Sequence, residues 1–175
     1  MNTKIIFRLY KIFINNGFST IRFNFRGVGK SEGLFDDGEG ELSDAASVLD
    51  WLQQYNTNSK TVWVTGFSFG AWVAMQLLMR RPEINGFISV SPPANLRDFS
   101  FLAPCPSSGL IVHGDKDSVS SFDSTKILSE KLQKQKKVNI QFKPIKGADH
   151  FYENFTDQFT TIVDQYIKDR LTQLK

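Results

Sequence analysis

The chain has 175 residues, a single-domain length, with 41% hydrophobic and 22% charged residues, which excludes the disordered, collagen-like and coiled-coil classes. Lys and Arg number 21 against 18 Asp and Glu, and a net charge of +3 gives no concentrated footprint for nucleic acid. The single cysteine, Cys105, excludes an intramolecular disulfide framework and multi-cysteine zinc clusters, and no apolar run approaches the length of a membrane span.

Ile5, Ile6, Leu9, Ile12 and Phe13 recur at helical spacing, and Gly17 follows as a stop signal. Lys4, Arg8 and Lys11 interrupt these apolar residues and no small-residue cleavage site follows, so the segment is no signal peptide and we expect a cytoplasmic protein. Residues 20–25, aromatic and β-branched, predict a strand, and a loop rich in glycine and acid follows over residues 26–40. Ala45, Val48, Leu49 and Leu52 put one apolar face on a second helix. A strand over 60–65 then leads into a helix over 69–81 that Pro82 closes.

The spacing predicts strands over 87–90, 110–113 and 138–142, with a helix over 122–136 between the last two. Lys131, Lys134, Lys136 and Lys137 fall late in that helix, where cations suit its C-terminus. Phe155, Phe159, Ile162, Val163, Tyr166 and Ile167 mark a final helix. Helix and strand alternate from end to end, without repeat or linker. This predicts one α/β domain over residues 1–175, a mostly parallel sheet with helices on both faces. Function in such sheets collects in loops at the carboxyl ends of strands, which here begin at Arg26, Gly66, Ser91, Gly114 and Lys143.

Gly66-Phe67-Ser68-Phe69-Gly70 is a G-x-S-x-G sequence standing between a strand and a helix. A nucleophile elbow turns so sharply there that the serine hydroxyl is lifted clear of the sheet, at the N-terminus of the following helix. The Phe69 N–H is then an expected oxyanion donor. A serine needs a general base. Of the two histidines, His150 lies after the last strand and before the last helix, while His113 ends a strand and is read as shaping the turn that follows. The base in turn needs a carboxylate. Asp117 lies far enough into its loop to turn back toward His150, and Asp115 is read as bracing the turn through backbone N–H groups.

The order Ser68, Asp117, His150 differs from the chymotrypsin-like and subtilisin-like orders, and the chain resembles the α/β-hydrolase superfamily. It is most similar to the small, lidless bacterial branch related to dienelactone hydrolases and serine aminopeptidase-like proteins. The likeness runs from about Asn2 to the C-terminus. It includes the segment from Arg22 to Gly33, similar to that branch's fourth-strand loop, and His113-Gly114-x-x-Asp117-x-Val119, which matches the superfamily's acid loop and ranks Asp117 above Asp115.

The resemblance implies a serine hydrolase, carboxylesterase-like with peptidase or thioesterase chemistry also open, acting on a small acyl substrate without metal or organic cofactor. Only residues 92–108 separate the sixth family strand from the next, too few for a lid domain. Asn95, Leu96, Phe99, Phe101 and Leu102 are expected to form a low apolar wall beside an open site. The resemblance also implies a late start: three family strands, and the loop carrying the second oxyanion N–H, would precede Met1. One of those strands would sit between residues 20–25 and 60–65. We therefore expect an N-terminally shortened hydrolase that folds poorly or has little activity alone, unless those two strands pair directly in a rearranged sheet.

Two rivals stand beside this reading. Gly29-Lys30-Ser31 suggests a phosphate loop, but the required first glycine falls at Asn24 and the sequence continues as loop. The other rival is a catalytically inactive hydrolase relic that serves as a binding module.

Overall fold

In a computed structural model that describes residues 3–173, period-2 alternation on two central strands divides the core into two layers. Four parallel strands, β1 (Val62–Phe67), β2 (Ile84–Val90), β3 (Gly109–Gly114) and β4 (Ile140–Ile145), form one sheet in sequence order. On β2, Phe87 faces one layer while Ile88 and Val90 face the other; on β3, Ile111 opposes Leu110 and Val112 in the same way. The first layer packs α2 (Glu39–Gln54), α3 (Phe69–Arg80) and α4 (Phe122–Gln133) on the sheet. The second packs α1 (Lys4–Asn15) and α5 (Thr156–Gln173), through Leu9, Phe13, Phe159 and Val163. No described helix is long and apolar enough to cross a membrane.

Most expected elements form, with shifted ends. The α2 helix starts ahead of its apolar face because buried Glu41 reaches back to accept the N–H groups of Gly38 (2.8 Å) and Asp36 (3.0 Å), satisfying donors at the helix start. The β4 strand begins at Ile140 rather than 138 because its register on β3 pairs Ile140 with Gly109. It also carries Pro144, which an edge strand tolerates because proline's missing N–H faces away from the ladder. The α4 helix stops at Gln133, so of the four lysines only Lys131 lies in its last turn.

The expected strand over 20–25 is the clear correction. These residues join no ladder, and the alternative of direct pairing with residues 60–65 is overturned as well. The reason is spatial: β1 pairs with β2 along one edge only. Its other edge faces a groove of about 620 Å³ lined by Phe18, Phe23, Phe25, Leu49, Val64 and Leu77. A strand is defined by its partner's backbone groups, and across this groove none is within reach. Nor does a helix follow Ser31, since α2 begins at Glu39, and the phosphate-loop rival loses its anion-binding helix terminus.

Candidate active site

The β1 strand ends in a sharp turn that requires glycine at position 66. Ser68 has φ 53° and ψ −122°, a conformation costly for a residue with a Cβ. Its N–H donates to the Val90 carbonyl at the end of β2 (2.9 Å), and its carbonyl accepts the Ala71 N–H (2.8 Å), starting α3. A Cβ on Gly66 would run into the Gly70 carbonyl, so the strand and helix can meet only if that residue is glycine. Gly70 is different: a Cβ there would meet only the Phe25 ring, at an ordinary 3.9 Å. Phe69 heads α3, and its N–H, like other first-turn N–H groups, has no acceptor within the helix.

The loops after β3 and β4 are bound to one another. Gly114 lies so close to the Ala148 carbonyl that a side chain there would clash. Asp115 accepts the Gly147 N–H (2.6 Å), the bracing role read from the sequence, and the Lys116 N–H donates to Ala148 (3.0 Å). This holds His150 over Asp117, with His150 Nδ1 2.7 Å from Asp117 Oδ2. A carboxylate only accepts, so Nδ1 carries the proton and Nε2 is left as the free base. The Asp117 side chain is wholly buried and the His150 side chain nearly so. Burial pushes the Asp117 carboxyl up. Hydrogen bonds from His113 and His150 and from the Ser120 and Val119 N–H groups outweigh that and hold it far below the usual carboxylate range.

Phe67, the residue before Ser68, packs its ring 4.8 Å from the His150 imidazole. Phe151 meets that imidazole edge-on at 5.1 Å and also touches the Phe67 ring. Beside Phe69 a cavity of about 220 Å³ is walled by Phe25, Val28, Leu34 and Phe35. The Asn95 amide oxygen accepts the N–H of Ser121, the N-cap of α4 (2.9 Å). Leu96 is exposed, and Phe99 and Leu102 are buried in the core.

Three groups around the site carried no separable sequence signal. Ser91, at the end of β2, has φ 46° and shares a 2.8 Å hydrogen bond with the fully buried Tyr152 hydroxyl, which also donates to the Val112 carbonyl (3.3 Å). This ties the His150 loop to both central strands. Arg97 lies over the rings of Trp72 (4.7 Å) and Phe69 (5.6 Å) and pairs with Asp37 at 2.7 Å, clamping the 26–38 loop onto α3. The third is His113, whose Nε2 is 3.3 Å from Asp117. Among the described residues no group of His, Cys, Asp and Glu side chains could hold a metal ion.

A parallel sheet with helices on both faces, a strained serine between strand and helix, and loops at the strands' carboxyl ends define an α/β hydrolase. Comparison with known proteins narrows this. The model of the X-Pro dipeptidyl-peptidase (S15) family matches residues 2–169, and the chain belongs to that family. A solved protein of unknown function from Agrobacterium tumefaciens, assigned to the α/β hydrolases, is 51% identical, with a TM-score of 0.96 over 99% of this chain and 79% of its own. An uncharacterized protein of Rickettsia prowazekii is also 51% identical, over 95% of this chain and 72% of its own. A lidless α/β serine hydrolase from Xanthomonas campestris is 30% identical, with a TM-score of 0.85 over 98% of this chain and 75% of its own.

Proposed function

We propose that the chain is a serine hydrolase that cleaves small esters, thioesters or amides through an acyl-enzyme. The observations that carry this reading are the strained Ser68 at the head of α3 and the buried His150–Asp117 pair, with Phe67 beside Ser68 packed on the His150 imidazole. Ser68 Oγ attacks the substrate carbonyl while His150 Nε2 takes its proton. The Phe69 N–H, at the positive end of α3, stabilises the tetrahedral oxyanion. His150 then protonates the leaving group, and the acyl-enzyme forms. Water, deprotonated by the same nitrogen, releases the acid and restores Ser68. Asp117 holds the His150 tautomer and balances the imidazolium charge.

Short acyl groups are the expected substrates. The cavity beside Phe69 is small, and the 92–108 segment, with Asn95 and Leu96 along its outer wall, is too short to cover a long chain. The test is kcat/KM for acetyl, butyryl and palmitoyl esters and for an Xaa-Pro anilide, with Ser68→Ala as control. Acetyl or butyryl esters are expected to turn over fastest, and Ser68→Ala to lose at least about 10⁴-fold. Equal rates for wild type and Ser68→Ala would leave the inactive-relic reading. Faster turnover of palmitoyl esters would overturn the short-acyl preference alone.

A further inference from the structure

The reading of Ser68, His150 and Asp117 leaves one buried ring without a task. His113 ends β3, is completely buried, and meets the Phe122 ring edge-on at 5.9 Å. Its Nε2 lies 3.1 Å from the Ser120 carbonyl oxygen and 3.3 Å from Asp117 Oδ2. That is the same oxygen that His150 Nδ1 contacts at 2.7 Å. Neither neighbour of Nε2 can donate: one is a carbonyl, the other a carboxylate held ionised by its surroundings. The proton of His113 therefore sits on Nε2. Its Nδ1 has no hydrogen-bond partner in the structure.

Asp117 is consequently surrounded by donors. Oδ1 accepts the N–H groups of Val119 and Ser120, each at 2.8 Å, while Oδ2 meets His150 Nδ1 at 2.7 Å and lies 3.3 Å from His113 Nε2, whose hydrogen bond goes to the Ser120 carbonyl. The Asp117 N–H closes the loop onto the Gly114 carbonyl (3.2 Å). The Nε2–H edge of His113 sets partial positive charge 3.3 Å from the oxygen that His150 uses. The longer contact lowers the negative charge that Oδ2 offers to His150, and it fixes the plane in which the carboxylate meets that ring.

We propose that His113 is a positioning residue that orients Asp117 and, by sharing Oδ2, limits how strongly the carboxylate stabilises protonated His150; this rests on the hydrolase reading above. Without the His113 N–H, Oδ2 belongs to His150 alone. The imidazolium is then held more tightly, and the base gives up its proton at higher pH. The carboxylate also loses one of the groups that set its angle. The other ionisable groups on the surrounding elements are Asp115 and Lys116 beside Asp117, Asp123 on α4, Lys143 on β4, Asp149, Tyr152 and Glu153 around His150, and Asp157 on α5. Of these only Tyr152 is buried, so the charges of the others are screened by solvent.

The experiment uses the full chain with His113→Leu, which keeps bulk and loses the donor, and His113→Gln, whose amide N–H falls near the position of Nε2. The pH profile of kcat/KM for an acetyl ester is measured from about pH 5 to pH 9. His113→Leu is expected to lower kcat by about tenfold or more with KM within about twofold, and to raise the acid limb by about half a pH unit; His113→Gln restores both. In the proton spectrum, the downfield His150 Nδ1 signal moves in the leucine variant and stays in the glutamine one.

An unmoved acid limb and an unmoved downfield signal in His113→Leu would overturn the proposal, whatever happens to thermal stability. A wild-type nitrogen spectrum with the His113 proton on Nδ1 would overturn it too, and needs no variant that folds. Wild-type protein inert toward fluorophosphonates would count against the hydrolase reading separately, while the spectra still decide the role of His113.

Discussion

The two sides of the sheet differ in how their flanking segments are tied down, although β1 and β4 each pair along one edge only. On the β3–β4 side, the loops after both strands are locked together by main-chain and carboxylate hydrogen bonds, and β3 is buried throughout. On the β1 side, the strand is partly buried, and residues 20–25 lie along a groove without joining the sheet. The proposed base and acid belong to the first region, and Ser68 stands at the boundary, held to β2 through the Val90 carbonyl. The candidate site is thus closed by local contacts among loops at the strand ends, away from the outer edge of β1.

The comparison can be broken most sharply at the site itself. His150→Ala and Asp117→Asn are each expected to lower kcat by about 10⁴-fold, the loss typical of a triad without its base or with its histidine in the wrong tautomer. Stopped ester assays on folded variants check this, and a loss below about tenfold would separate the pair from the chemistry. Stability should show the same asymmetry. Ile88→Ala, at a fully buried position of β2, is expected to cost about 3 kcal/mol, whereas Val64→Ala, on the groove wall, costs about 1 kcal/mol. Urea melts of the two variants compare them directly.

A third effect is pH-dependent. Asp117 has a folded-state pKa depressed below its unfolded value, so its contribution to stability is complete above about pH 4 and is lost as pH falls further. Thermal melts from about pH 5 down to pH 2 should therefore fall more steeply for wild type than for Asp117→Asn. The smallest effect belongs to the elbow's second glycine. Because a Cβ at Gly70 meets nothing closer than the Phe25 ring, Gly70→Ala is expected to stabilise α3 by about 0.5–1 kcal/mol. Loss of stability on that substitution would mean that the groove side is tighter than the structure has it.

Much of this was legible beforehand. The helix and strand alternation fixes the fold class, because period-2 and period-3.6 patterns are local properties of the chain. The elbow and the loops holding Asp117 and His150 were legible for the same reason: each is a short motif at a strand end. Residues 20–25 misled because β propensity says that a segment fits a sheet without saying whether a neighbour is there to pair with it. For Asn95, expected in a substrate wall, nothing local reveals that its amide oxygen also accepts the N–H of Ser121, 26 residues later. His113 was read as shaping a turn, since four residues of spacing between a strand end and a loop do not disclose that two imidazoles converge on one oxygen.

The central claim is that Ser68 is activated by a base already assembled in this chain, and it is tested most directly by fluorophosphonate labelling of the purified protein. Mass spectrometry would locate the adduct, with Ser68→Ala and His150→Ala as controls. The account predicts a single adduct on Ser68, absent from Ser68→Ala and strongly slowed in His150→Ala. Labelling that is absent from wild type, or that proceeds equally well without His150, would contradict it.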